Sequence, residues 1–467
     1  MRRFRPLFAL SVLISLVATS SQADDWTQFR GPTGGVITDS TPPSEWAGDK
    51  NINWKTNVSG VAWSCPIVVG DKIFLTTAYS AGQPKPKAGG GFGGGGPGGK
   101  GGPGGFGKGG TPKETYQFKV ICLDRATGKP VWEKIAKEAR PTIPTHGSNT
   151  YATETPVSDG EYVYAYFGMT GLFCYDLAGK EVWKKDLGSF SMMAGWGTAS
   201  SPVLDGDRLF IQCDNEEKSF LAAYDKKTGK ELWKADRREK SGWSTPFVWK
   251  TKDRTDIVAG GGQKVRGYEP ATGKVVWELE VGGGQCSASP VGDSDRLYVG
   301  VGAGGFGGPK GGGGGGRGAG TLFAVKAGAK GDITLKANES SNDGVAWTAP
   351  RAWPGAASPL VYDGYVYVLE RNGGLVSCFE AKTGKAAYTK ERIPSAKAFW
   401  ASPWAADGKV FCLDEDGQTH VLKAGKEFEV LHVNKLGRDM FWASPAAANG
   451  TLFIRGLDAL YCVGSKK

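Results

Sequence analysis

Few residues in this chain have the types and spacing that chemistry needs. His146, Ser148 and Asp159 supply the three types of a hydrolytic triad, but no nucleophile elbow presents the serine. The three histidines, His146, His420 and His432, make no zinc spacing with the eight cysteines, and no C-x-x-C occurs. Tryptophan gives a more regular signal. Trp63, Trp243, Trp400 and Trp442 each stand three residues before the proline of a recurring Ser/Thr/Cys-Pro dipeptide. Large rings at one repeated position can pack neighbouring modules or form an aromatic platform for a peptide or sugar ring. Glu154, Arg438 and Asp439 are the polar candidates beside them.

Positioning these residues is the task of a repeat, clearest between Ser200 and Trp233. Val203–Leu204 reads as a short apolar strand, Asp205-Gly206 as a tight turn and Leu209–Ile211 as the returning strand. Leu221–Tyr224 is a third strand, Asp225 to Gly229 a second turn, and Glu231–Trp233 a fourth strand. Four short antiparallel strands make one propeller blade. The opening proline recurs at 66, 156, 202, 246, 290, 359, 403 and 445, mostly 42 to 46 residues apart. Proline has no N–H to donate, so it belongs on a sheet edge, as on the innermost strand beside a channel.

Seven closing aromatics follow these eight openings, from Trp132 to Tyr388 and Phe428. The eighth is expected at Trp54, upstream of the first opening, so the N-terminus supplies the outer strand of blade eight. The expected fold is all-β, one eight-bladed β-propeller of four-stranded antiparallel blades over residues 24–467, closed by an N-terminal strand. Strand direction alternates within a blade. The fourth-to-first and second-to-third loops therefore share one face, which carries the irregular segments, while the Asp-Gly and Asp-x-x-Thr-Gly turns occupy the other. Trp400, Trp442 and Trp63 lie on consecutive blades and should form an arc beside the channel mouth. Any partner or ligand is expected on that face.

Residues 1–23 read as a secretory signal, with Arg2, Arg3 and Arg5 before an apolar core and Ser21-Gln22-Ala23 as the cleavage site. An exported, periplasmic or extracellular protein follows, with no integral membrane segment. The formal net charge is +10, and the leader with the Gly-rich inserts at 79–113 and 301–320 accounts for all of it. The remaining body is balanced, which excludes nucleic-acid binding by a folded basic face. The inserts are too poor in apolar residues to offset their ordering entropy and should be disordered. The cysteines fall at equivalent strand positions in different blades, too far apart to bridge, and read as small buried hydrophobes.

The pattern Ser-Pro…Asp-Gly…Leu-x-Ala-x-Asp-x-x-Thr-Gly-Lys-x-x-Trp resembles the PQQ-like, quinoprotein-type β-propeller repeat. Its clearest copies are Leu123–Trp132, Leu221–Trp233 and Tyr268–Trp277. The opening Trp26-Thr27-Gln28-Phe29-Arg30-Gly31-Pro32 and the last two blades are similar to exported propellers that themselves resemble BamB. That resemblance implies a non-enzymatic envelope scaffold with a protein, peptide or glycan partner, although no cysteine sits just after the leader to carry a lipid. The same repeat in quinoprotein alcohol dehydrogenases implies an alternative: PQQ with Ca²⁺ held by carboxylate and amide oxygens, an Asp base and a disulfide between adjacent cysteines. No two cysteines are adjacent here, no C-x-x-C-H occurs, and Glu154 has no matching Asn and Asp set. The expectation is therefore no cofactor, a monomer, and polysaccharide binding as a further alternative.

Overall fold

The computed structural model describes residues 25–38, 40–86, 111–302, 320–371 and 373–465. The expected leader, residues 87–110 of the first Gly-rich insert and residues 303–319 of the second lie outside them. Eight antiparallel sheets, each a simple meander, are arranged as the blades of a propeller. In blade three the strands are Val203–Asp205, Arg208–Cys213, Phe220–Asp225 and Glu231–Asp236. Each blade's first strand starts at or just after its repeat proline and lies innermost, as Ile67–Val69 and Trp404–Ala406 do. Ile52–Asn57 pairs antiparallel with the last strand, Ala459–Gly464, with Trp54 opposite Cys462. The ring is closed by the N-terminal strand, as expected.

Middle strands bury almost every side chain, whereas outer strands alternate. Val131, Val182, Leu232 and Val275 point outward on four successive outer strands. The repeat motif also joins one blade to the next. Asp225 Oδ1 accepts from the Thr228 N–H at 2.8 Å and the Thr228 hydroxyl at 2.7 Å, which shapes the turn. Gly229 then takes φ +68°, and a Cβ there would lie 2.6 Å from the Trp183 ring of the preceding blade. Trp183 Nε1 donates to the Lys226 carbonyl in the same turn at 3.0 Å. Trp54, Trp132, Trp233 and Trp347 repeat this ring-under-turn contact at the next blade. Gly229→Ala combines a left-handed backbone with a blocked approach, so it should cost about 2 kcal/mol or more. Urea denaturation should show a lower midpoint with an unchanged slope, and an unchanged midpoint would contradict the contact.

Two features go beyond the expected meander. Gly331–Asp332, from a long loop in blade five, adds parallel to Val275–Glu280 and covers the outer edge of blade four. More consequentially, the segment from Trp26 to Ile37 runs inside the ring. Trp26 exchanges two backbone hydrogen bonds with Val68, at 3.0 and 2.9 Å, and the Ser158 N–H donates to the Thr27 carbonyl. Farther on, Ile37 and Gly35 bond Ala405. These partners sit on the first strands of blades one, two and seven. The segment therefore occupies inner edges that would otherwise face the channel, and Phe29 and Arg30 lie within the ring. Among the described residues no helix is long and apolar enough to cross a membrane.

Candidate functional site

At the channel mouth the fourth-to-first loops of several blades surround a cavity of about 460 Å³. Six tryptophans line it: Trp63, Trp196, Trp243, Trp353, Trp400 and Trp442. The floor is a ring of side chains, one from each blade, at the position just before the repeat proline. The Cys65 N–H donates to Thr155 Oγ1 at 2.9 Å, and Thr155 N–H to Ser201 Oγ at 2.9 Å. The chain continues through Thr245, Ser289, Ser358, Ser402 and Ser444 at 2.9 to 3.0 Å per step. It closes where the Ser444 N–H donates to Cys65 Sγ at 3.2 Å. Each acceptor satisfies the amide just before its neighbour's repeat proline, so the small polar residue at that position locks adjacent blades around the axis. Cys65 is thus more than a small hydrophobe. It fills the acceptor position that a hydroxyl fills in the other seven blades. All eight cysteines are free and buried.

The tryptophan arc is present as a stack. Trp400 and Trp442 lie 3.6 Å apart between centroids and 15° from parallel, and Trp63 and Trp442 lie 4.8 Å apart at 21°. The Arg371 guanidinium covers Trp400 at 4.9 Å. Trp442 is therefore sandwiched, and most ring faces in the arc contact one another. Trp63 is buried, with 5% exposure, while Trp400 and Trp442 are half-buried. An arrangement of this kind presents ring edges, the positive side of the aromatic quadrupole, toward the cavity. Trp243 stands apart from the stack and donates Nε1–H to the Gly197 carbonyl at 2.8 Å.

The polar candidates lie elsewhere. Glu154 is buried beside the cavity wall without lining it, and its Oε1 accepts from the Gly168 N–H at 3.2 Å. Burial pushes its carboxyl up to about 7. Asp439 holds a loop, accepting from the amides of Met440, Leu457 and Asp458, and burial raises its carboxyl. Arg438 is exposed and does not line the cavity. Nor does a triad assemble. His146 Nδ1 does meet Ser148 Oγ at 2.7 Å, but Asp159 shapes the Asp-Gly turn of blade two and pairs with Lys226 at 3.0 Å.

Two of the six tryptophans, Trp196 and Trp353, escape the sequence pattern that marks the other four. Both stand six residues before a repeat proline, Pro202 and Pro359, and that second offset is the signal that would find them. The cavity lining contains one charged side chain, Arg371, and no carboxylate among the described residues.

Residues 116–308 match the family model described as outer membrane protein assembly factor BamB. The repeat is that of the PQQ-like propellers. Among solved structures, BamB from Moraxella catarrhalis superposes with a TM-score of 0.54 at 13% identity, over 74% of this chain and 93% of that one. Quinohemoprotein alcohol dehydrogenase from Comamonas testosteroni gives 0.56 at 13% identity, over 96% of this chain and 82% of that one. The quinohemoprotein alcohol dehydrogenase ADHIIG from Pseudomonas putida HK5 gives 0.52 at 11% identity, over 91% and 78%. At such identities the likeness is one of fold. No curated protein matches the sequence.

Proposed function

We propose that the protein is an exported, non-enzymatic binding propeller of the cell envelope, BamB-like in role, with the channel-mouth face as its working surface. The observation that carries this reading is the cavity itself: six indoles above a floor of hydroxyls, with no acidic side chain among its described lining residues. Indole edges and hydroxyls suit a peptide or glycan group, and they supply no general base. Export rests on the basic and apolar leader and on the BamB match. The test compares the two faces. Trp353→Ala and Trp442→Ala should weaken co-purification of envelope partners, while the opposite-face changes Lys129→Glu and Lys227→Glu should leave it intact. Loss confined to the latter pair would refute the assignment.

The quinoprotein alternative requires a site for PQQ and Ca²⁺. Calcium takes six to eight oxygens, typically including carboxylates. The lining offers hydroxyls and amides without a carboxylate, and Glu154 stays out of it, its carboxyl pushed up to about 7 by burial. Among the described residues no three His, Cys, Asp or Glu side chains cluster as a metal site would need. These residues do not fit the group. Dye-linked oxidation of alcohols or sugars should therefore stay at background with added PQQ and Ca²⁺, and titration should give no stoichiometric absorbance change. Saturable, Ca²⁺-dependent PQQ binding would reverse this conclusion.

A further inference from the structure

Beneath the floor of the cavity a positive charge lies inside the protein with no counter-ion among the described residues. Arg30 belongs to the segment that runs through the ring, and it is 5% exposed. Its Nε and Nη2 are buried without a hydrogen-bond acceptor. Arg30 is also among the residues around a second chamber, of about 90 Å³, which is bounded by blades three to five and shares Phe29, Thr245 and Ser289 with the cavity above. The guanidinium reaches toward Gly35, where an added Cβ would lie 3.3 Å from Nη2. Its backbone is unusual as well, because Arg30 is a non-glycine residue held at φ +64°. A long side chain in that conformation is strained and persists only where its surroundings impose it.

Among the described residues no protein group neutralises this cation. The titratable neighbour that acts on it is Cys65, and burial pushes that thiol up, so it stays uncharged. Burial lowers Arg30 itself only to about 9, which leaves it protonated at neutral pH. Arg455, 1% exposed, approaches the same sector from blade eight. Its Nη1 is satisfied by Ser64 and Thr76, while its Nε and Nη2 have no acceptor. A buried, unpaired guanidinium is costly unless an anion or ordered polar group completes it. Above it, each ring hydroxyl that accepts an amide keeps its own proton to donate.

We propose that the channel beneath the hydroxyl ring is an oxyanion site, in which Arg30 Nε and Nη2 hold a carboxylate-, sulfate- or phosphate-type group. The anion is either a free inorganic ion or the acidic head of a ligand whose body lies among the indoles above. In both cases the N-terminal segment serves as a built floor with a charged centre, and not only as a plug.

The experiment measures melting temperature on the full chain against sulfate and, separately, benzoate, with ionic strength held constant by sodium chloride. The wild type should rise steadily with the logarithm of the bound anion's concentration. Arg30→Met should show no such rise, and without anion it should melt at the same temperature or higher, because a buried unpaired charge has been removed. A response to sulfate alone supports a free inorganic ion; a response to benzoate, with or without sulfate, supports the head group of a larger ligand. No response to either, or one undiminished in Arg30→Met, overturns the proposal. Crystals soaked in selenate give a readout that does not depend on the variant folding. An anomalous peak within hydrogen-bond distance of Arg30 is expected, and its absence together with no response to benzoate overturns the site.

Discussion

Asp214→Ala is expected to destabilise the protein by about 3–5 kcal/mol, because it leaves a buried guanidinium without its carboxylate. Arg237 grips Asp214 with two bonds, Nε to Oδ1 at 2.8 Å and Nη2 to Oδ2 at 3.0 Å, and neither side chain is exposed beyond 1%. The remaining donors are also satisfied, Nη1 by the Tyr268 hydroxyl at 2.8 Å and Nη2 by the Gly260 carbonyl. Gln212 Nε2 donates a further bond to Asp214 Oδ2 at 2.7 Å. Asp214 and Arg237 follow the second and fourth strands of blade three, while Gly260 and Tyr268 belong to blade four. The pair therefore joins two modules that also meet through apolar packing, the ring-under-turn contact and the hydroxyl ring. Removing both charges, as in Asp214→Leu with Arg237→Met, should recover most of the loss, since a buried ion pair is worth little relative to an apolar pair. Chemical denaturation of the two variants decides the matter. A single variant within about 1 kcal/mol of wild type, or a double variant as unstable as the single, would exclude this account.

The blade was legible because its cues are local and repeat. Asp225, Thr228 and Gly229 determine a turn within five residues, and the same turn recurs with a tryptophan four residues beyond the glycine. Closure by Trp54 was legible for a related reason: eight openings and seven later closings leave one aromatic to be found upstream. Contacts that join distant, irregular segments were not legible. Nothing periodic in Trp26–Gly35 indicates that it pairs with inner edges on blades one and seven, some 40 and 370 residues away. The closed ring of amide-to-hydroxyl bonds was visible only as a Ser/Thr/Cys preference before proline. Its meaning needed the geometry in which each blade's amide meets the next blade's side chain. Asp214 and Arg237 look like ordinary surface residues in the sequence, because both follow strands where the chain would be expected to reach solvent.

The same division applies to the cavity. Four of its six tryptophans share one offset from the repeat proline, while Trp196 and Trp353 arrive by longer loops at another. Glu154, Arg438 and Asp439 are near those prolines or loops in sequence, and that proximity does not bring them to the cavity. Glu154, in the bend before the first strand of blade two, stays out of the cavity between Thr153 and Thr155, which do line it. Asp439 is drawn off by three amides of its own and a neighbouring loop. The polar groups that remain at the site are hydroxyls and Arg371, a set that favours neutral or anionic guests over cations.

Glu154→Gln should raise stability at pH 8 by up to about 3 kcal/mol and leave it nearly unchanged near pH 4.5. Burial is the leading cause of the raised carboxyl, at about 7 against 4.5 for the free group, and bonds from Thr198 and the Gly168 amide offset only part of it. The direction follows from proton counting. Below pH 4.5 the carboxyl is neutral in both states and contributes no difference. Between 4.5 and about 7 the folded protein keeps its proton while the unfolded chain has released it, so stability falls as pH rises. Above 7 both states are ionised and the penalty stays at its full value. A tenfold difference in proton affinity between the two states corresponds to about 1.4 kcal/mol, which sets the size of the effect. Glutamine keeps an oxygen for the Gly168 amide at 3.2 Å but cannot ionise. Urea midpoints of both proteins from pH 4.5 to 8 isolate this group, because every other titration cancels in the difference. The curves should separate progressively across that window, with the variant above. Parallel curves would mean that the Glu154 carboxyl ionises as readily in the folded protein as in the unfolded chain.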